Sequence, residues 1–235
     1  MLDRNAVEKL IRESVERNKQ GRREYHIFGK TLVSVKKDVF SNIDFNQVIS
    51  EIEENMPPHL FEEVDDIFVG SFSENDDRAL EAHYEDGAIY ITSDLPTNRD
   101  YLENIVHETA HAIEGKMGLV IYGDRKIERE FLGKRERLEA RLSAEGVDTS
   151  GSDFMDPEYS SDLDNFLYSS VGYKKLSNLT MGLFNSPYAA TSLREYFANG
   201  FEEYFLGRKD YLPKISPQLF IKIEKIIIGE EDEYF

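Results

Sequence analysis

Apolar residues fall at helical spacing in some stretches of the chain and in short β-branched and aromatic runs in others. The first pattern predicts helices and the second strands. Residues 5–19 already place Ala6, Val7, Leu10, Ile11, Ser14 and Val15 on one stripe with charges opposite, the pattern of a surface helix. Residues 25–35 are β-branched and aromatic around Gly29-Lys30, which predicts two short strands joined by a turn. Asp44-Phe45-Asn46-Gln47 reads as a capping box opening a helix that turns Phe45, Val48, Ile49 and Ile52 inward until Pro57-Pro58. Ile67, Phe68 and Val69 predict a buried strand within 66–72, and residues 73–77 an acidic loop. A hairpin of residues 79–84 and 88–92 follows, turning at Glu85-Asp86-Gly87, where glycine tolerates positive φ.

Beyond Pro96 the period is helical. Residues 98–116 carry Leu102, Ile105, Val106, Ala110 and Ile113 on one face, with Thr97 or Asn98 as cap and Gly115 and Gly118 as stop signals. Residues 124–145 space Ile127, Phe131, Leu138 and Leu142 helically among many charges. Pairs such as Glu130 with Lys134 read there as a solvated face. Residues 146–161 are rich in Gly, Ser and Asp and predict a loop, open to two readings: a lid over a cleft or an exposed connection. One or two helices are expected in 162–184 around Phe166, Leu167, Val171, Leu176, Leu179 and Leu183. Leu193, Tyr196, Phe197, Phe201, Tyr204 and Phe205 then form the strongest apolar stripe. A last helix runs from Ser216-Pro217 to Gly229 with Phe220, Ile223 and Ile227 inward, before an acidic tail from Glu230.

The expected architecture is α+β: a small mixed sheet in a lobe of residues 1–95, and a helix-rich lobe of residues 96–235. The composition fits a folded chain of 235 residues, 40% hydrophobic and 12% aromatic. A formal charge of −18, from 46 acidic against 28 basic residues, argues against nucleic acid and anionic membranes as partners. The residues after Met1 form no apolar core with a cleavage site, and the apolar run at 225–229 is too short to span a bilayer. Cytoplasmic residence without membrane insertion is the default expectation, with leaderless export also open. No cysteine is present, so a metal could be held only by nitrogen and oxygen.

Candidate chemistry centres on His107-Glu108-Thr109-Ala110-His111. On a helix the two imidazoles stand four residues apart on one face, the spacing of a two-toothed Zn²⁺ ligand, with Glu108 between them to handle a proton. Two partly buried histidines on an amphipathic helix are the plainer alternative. His26 and His83 lie on predicted strands and read as structural or solvated. A catalytic zinc takes three protein ligands and keeps an open position. No histidine follows His111, and the metzincin extension fails because Glu114 and Met117 occupy its glycine and third-histidine positions. An acidic third ligand is therefore needed. Glu195 stands out because an unpaired carboxylate beside Tyr196-Phe197 would be costly, yet Ser192-Leu193-Arg194-Glu195 reads equally well as a capping box. Tyr188 is equally well a loop aromatic packed on the core. Glu114, one turn beyond His111, could orient a ligand or face water.

The His-Glu-x-x-His stretch, Tyr188, and Glu195 seven residues later within Arg194-Glu195-Tyr196-Phe197-Ala198-Asn199-Gly200-Phe201 together resemble the catalytic domain of the anthrax lethal factor family. That family includes the clostridial Pro-Pro endopeptidases, and its members are gluzincin metallopeptidases. The resemblance, in pieces over residues 84–207, implies a zincin-like fold with an edge strand beside the motif helix, His107, His111 and Glu195 as zinc ligands, and Glu108 as general base. It implies further that Tyr188 supplies a hydroxyl to the developing oxyanion or the leaving group. The interval from His111 to Glu195 is 84 residues, longer than in compact members, so residues 124–161 look like an insertion and proline specificity does not carry over. The expected function is a zinc-dependent endopeptidase that cleaves a protein or peptide substrate with a zinc-activated water. The alternative is a catalytically silent module of the same fold in a toxin or virion, and the presence of both Glu108 and Tyr188 speaks against it.

Overall fold

The computed structural model describes residues 21–36, 38–71 and 81–229. The stripe at 5–19, the acidic loop at 73–77, the first positions of the hairpin and the tail from Glu230 lie outside the described residues. Two compact units are formed, Met1–Ile105 and Val106–Phe235.

The first unit is built on a five-stranded mixed sheet: β1 (Arg22–Ile27), β2 (Thr31–Lys36), β3 (Asp66–Val69), β4 (Ala82–Glu85) and β5 (Ala88–Ile91), in the order β1-β2-β3-β5-β4. β1 with β2 and β4 with β5 are antiparallel hairpins, whereas β2–β3 and β3–β5 pair in parallel. Asp86 and Gly87 turn the second hairpin at positive φ, as two-residue turns require. Alternation sends Val33, Val35, Ile67, Val69, Ile89 and Ile91 into the core. A parallel pair needs a crossover, and β2 reaches β3 through α1 (Phe45–Asn55), which buries Phe45, Val48, Ile49 and Ile52. The Phe45 ring lies 5.9 Å from Tyr25 and 5.0 Å from Tyr101.

The start of α1 differs from the expected capping box. Asp44 caps the helix by accepting from Asn46 N at 2.9 Å, but Gln47 bonds Glu51 and Asn98 in place of Asp44 N. That backbone N–H donates instead to Asn98 Oδ1.

Helices make the second unit. α2 (Asn98–Tyr122) contains the point where the two units divide; α3 is Lys126–Ala144, α4 Ser161–Asn165 and α5 Tyr173–Thr180, with a π-helical segment Phe166–Gly172 between the last two. α6 (Leu193–Leu206), α7 (Leu212–Ile215) and α8 (Pro217–Ile228) complete it. No helix among the described residues is long and apolar enough to cross a membrane.

Two expectations are corrected here, and one left open is narrowed. α2 runs through Gly115 and Gly118, each costing about 1 kcal/mol of helix propensity, because its last turn is anchored: Ile121 is buried and Lys222 Nζ donates to Val120 O at 2.6 Å. α3 buries Ile127, Phe131, Leu138 and Leu142 as their spacing predicts, but its charged face is not wholly solvated, because Lys134 and Arg135 are buried too. The loop after α3, left open between a lid and an exposed connection, is tied down. Arg135 donates to the Asp153 and Asp156 carbonyls, Phe154 is buried, and Leu193 N donates to Pro157 O at 2.8 Å.

Candidate metal centre

α2 and α6, both within the second unit from Val106 onward, carry the candidate residues. One turn of α2 separates His107 from His111, whose ring centroids are 5.1 Å apart and inclined at 75°. The helix is held in place by the full burial of Val106, Thr109 and Ala110 between the functional positions. α6 starts where Ser192 Oγ accepts from Glu195 N at 3.1 Å, half of a capping box. The other half is absent, because the Glu195 carboxylate faces the imidazoles. Its Oε2 is 3.2 Å from His107 Nε2 and its Oε1 3.6 Å from His111 Nε2. Farther along α6, Gly200 admits Leu219 of α8 so closely that any Cβ would collide with it, which leaves α6 little freedom to shift.

These three groups fit a tetrahedral metal. Bonds of about 2.0–2.1 Å set ligand atoms about 3.4 Å apart in a tetrahedron; the carboxylate comes near that spacing to each ring through a different oxygen, Oε2 at 3.2 Å from His107 and Oε1 at 3.6 Å from His111. All three ligand atoms lie within 4.8 Å of one another, the only such group of three or more among the described residues. All are largely buried, with side chains 13–17% exposed.

No known protein family, curated protein or solved structure matches the chain.

The electrostatics follow from the geometry. Burial opposes charging His107, but hydrogen bonds to Glu195 and Glu202 outweigh it and raise the ring to about 10. Burial likewise opposes charge on His111, and Glu114 with Glu195 raises it to about 9. Glu195 is held down at about 2 by the two imidazoles, against the effect of burial.

Glu108, 7% exposed, lies near enough for its charge to act on both His107 and Tyr188. Tyr188 is 43% exposed, while its hydroxyl interacts with Glu195. Burial, then the charges of Glu195, Asp164 and Glu108, push that hydroxyl well above the usual phenol range, so it remains a proton donor. A three-residue 3₁₀ turn, Tyr188–Ala190, carries it, and Thr191 Oγ1 closes that turn on Tyr188 O at 2.8 Å.

Three further residues were not singled out from sequence. Glu202 Oε2 lies 3.6 Å from His107 Nδ1; standing seven residues beyond Glu195, two turns along the same face, it was within reach of periodicity arguments. Arg194 and Tyr122 both donate to Glu114. Tyr122 lay beyond the expected end of its helix, and nothing in the local pattern marks Arg194.

Proposed function

We propose that the chain is a zinc-dependent endopeptidase. The observation that carries this reading is the convergence of His107, His111 and Glu195, their ligand atoms within 4.8 Å of one another, with the buried Glu108 carboxylate and the Tyr188 hydroxyl close by. The resemblance to the lethal factor family supports the same reading, and with it a zincin-like fold.

Zinc supplies two things when bound: it polarises a carbonyl and lowers the pKa of water towards neutrality. His107, His111 and Glu195 would hold it. Glu108 takes a proton from the attacking water and returns it to the departing amine, the two-way role that a buried carboxylate next to the reaction centre can fill. The Tyr188 hydroxyl, kept protonated by its surroundings, donates to the oxygen that becomes negative as the carbonyl turns tetrahedral. The substrate is a protein or peptide, in keeping with the acidic character that disfavours nucleic acid.

The test joins metal analysis of the purified chain to cleavage of a peptide library, with Glu108→Ala as control. The expected result is one zinc per chain and cleavage that disappears in the variant, a loss of about 10²–10⁴-fold. Bound zinc with no cleavage of any library would favour the silent module, and no bound zinc would end the proposal.

A further inference from the structure

The two imidazoles are braced very differently on the nitrogen that faces away from Glu195. His111 Nδ1 is 2.8 Å from Glu114 Oε2, on a side chain only 5% exposed. Glu114 also accepts from Arg194 Nε at 3.1 Å and from the Tyr122 hydroxyl. His107 Nδ1, by contrast, is 3.6 Å from Glu202 Oε2, on a side chain 31% exposed.

Resting on the metal reading above, we infer that Glu114 is the principal positioning residue of the centre, fixing His111 with Nδ1–H inward and Nε2 towards Glu195, and that Arg194 and Tyr122 act through it. An imidazole presents its Nε2 lone pair only in the tautomer that carries a proton on Nδ1, and a carboxylate acceptor there selects that tautomer and fixes the ring plane. Glu114 can do so only if it is itself immobile. Its Oε2 is shared between His111 and Arg194 while its Oε1 takes Tyr122, so both oxygens are committed. Arg194 adds a second effect. It precedes Glu195 on α6, so its bond to Glu114 on α2 ties the helix of the third ligand to the helix of the first two. Glu202 is about one-third exposed and lies 3.6 Å from His107, so it constrains that ring less.

Full-length metal-free protein is titrated with cobalt(II), read by its visible absorption, and with zinc in competition with a chromophoric chelator. Glu114→Gln is expected to weaken binding roughly 10–100-fold and to change the cobalt spectrum. Glu202→Gln should lose clearly less, and Glu114→Asp should recover part of the loss. Tyr122→Phe keeps the ring and the fold and should lose a few-fold, so it carries the test if Glu114→Gln does not fold by circular dichroism. Glu114→Gln binding as the wild type does, a loss in Glu202→Gln equal to that in Glu114→Gln, or an unchanged Tyr122→Phe would overturn the inference. If the wild type takes up neither metal, the metal reading itself fails.

Discussion

Glu195 and Tyr196 are neighbours on α6, and they enter two buried polar clusters of opposite kinds. Around Tyr196, donors and acceptors alternate. Its hydroxyl donates to Glu130 Oε1 at 2.9 Å, Glu130 also takes the backbone N–H groups of Gln218 and Leu219 at the start of α8, and Lys134 Nζ donates to Ser216 Oγ at 2.6 Å. Around Glu195 a carboxylate meets the Nε2 atoms of two imidazoles, which are acceptors too in the neutral tautomer that carries its proton on Nδ1. Converging lone pairs need a cation between them. Without a metal, protons take that part, which is why His107 is raised to about 10 and Glu195 held at about 2. A buried polar cluster therefore reads as a brace when donors meet acceptors, and as a ligand set when lone pairs point at one another.

That contrast can be broken at either cluster. The largest effect is expected at Tyr188: Tyr188→Phe should lower kcat about 10²–10³-fold and leave KM and zinc content nearly unchanged, as loss of one oxyanion donor does. Steady-state kinetics on a cleavable library peptide checks this, and a change confined to KM would assign Tyr188 to substrate binding. Next comes metal-linked stability. Zinc at a hundred times its Kd should add about 2.7 kcal/mol, or about 5–10 °C in Tm for a chain of this size. Glu195→Ala should lose most of that shift in a thermal melt, and a full shift in the variant would remove Glu195 from the ligand set. Smaller still is Tyr196→Phe, which strips Glu130 of a donor in a buried site. It should cost about 1–2 kcal/mol in denaturant unfolding without altering metal affinity, so any weakening of metal binding would show that the two clusters are coupled through α6.

The same contrast explains what was legible in the sequence. Residue type and turn chemistry located the sheet, because β-branched and aromatic residues cluster around Val33, Ile67 and Ile89 and Gly87 marks the hairpin turn. The His107–His111 spacing was legible because a helix converts four residues into one turn. What could not be read was which charges go inside. Glu130 and Lys134 form a perfect solvated pair on paper, yet Glu130 accepts from the first turn of α8, 88 residues away, and Lys134 is buried against Ser216. Glu195 posed the same ambiguity, since Ser192 does cap α6 as a capping box begins, and only tertiary placement decides where the carboxylate turns. Gly115 and Gly118 misled for a related reason: helix propensity is local, whereas the anchoring of Ile121 and Val120 is not.

Lys134 offers the finest test of the brace, because its charge is carried inside. Burial lowers it to about 7, Glu130 working in the opposite direction and Arg137 adding to the depression, while its Nζ sits 4.7 Å above the Tyr196 ring. An unfolded lysine titrates near about 10.4. Between about pH 7 and that value the unfolded chain binds more protons than the folded one, so stability rises with pH across this window. Below it both forms are protonated and the folded state bears the full cost of burying the ammonium. From pH 6 to pH 8 the gain should be about 1 kcal/mol. Lys134→Met has no such proton, so urea unfolding of wild type and variant at the two pH values should show the difference between them shrinking by that amount as pH rises. Parallel pH profiles would mean that Lys134 keeps its proton in the folded state throughout, held by Ser216, the Tyr196 ring and the charge of Glu130.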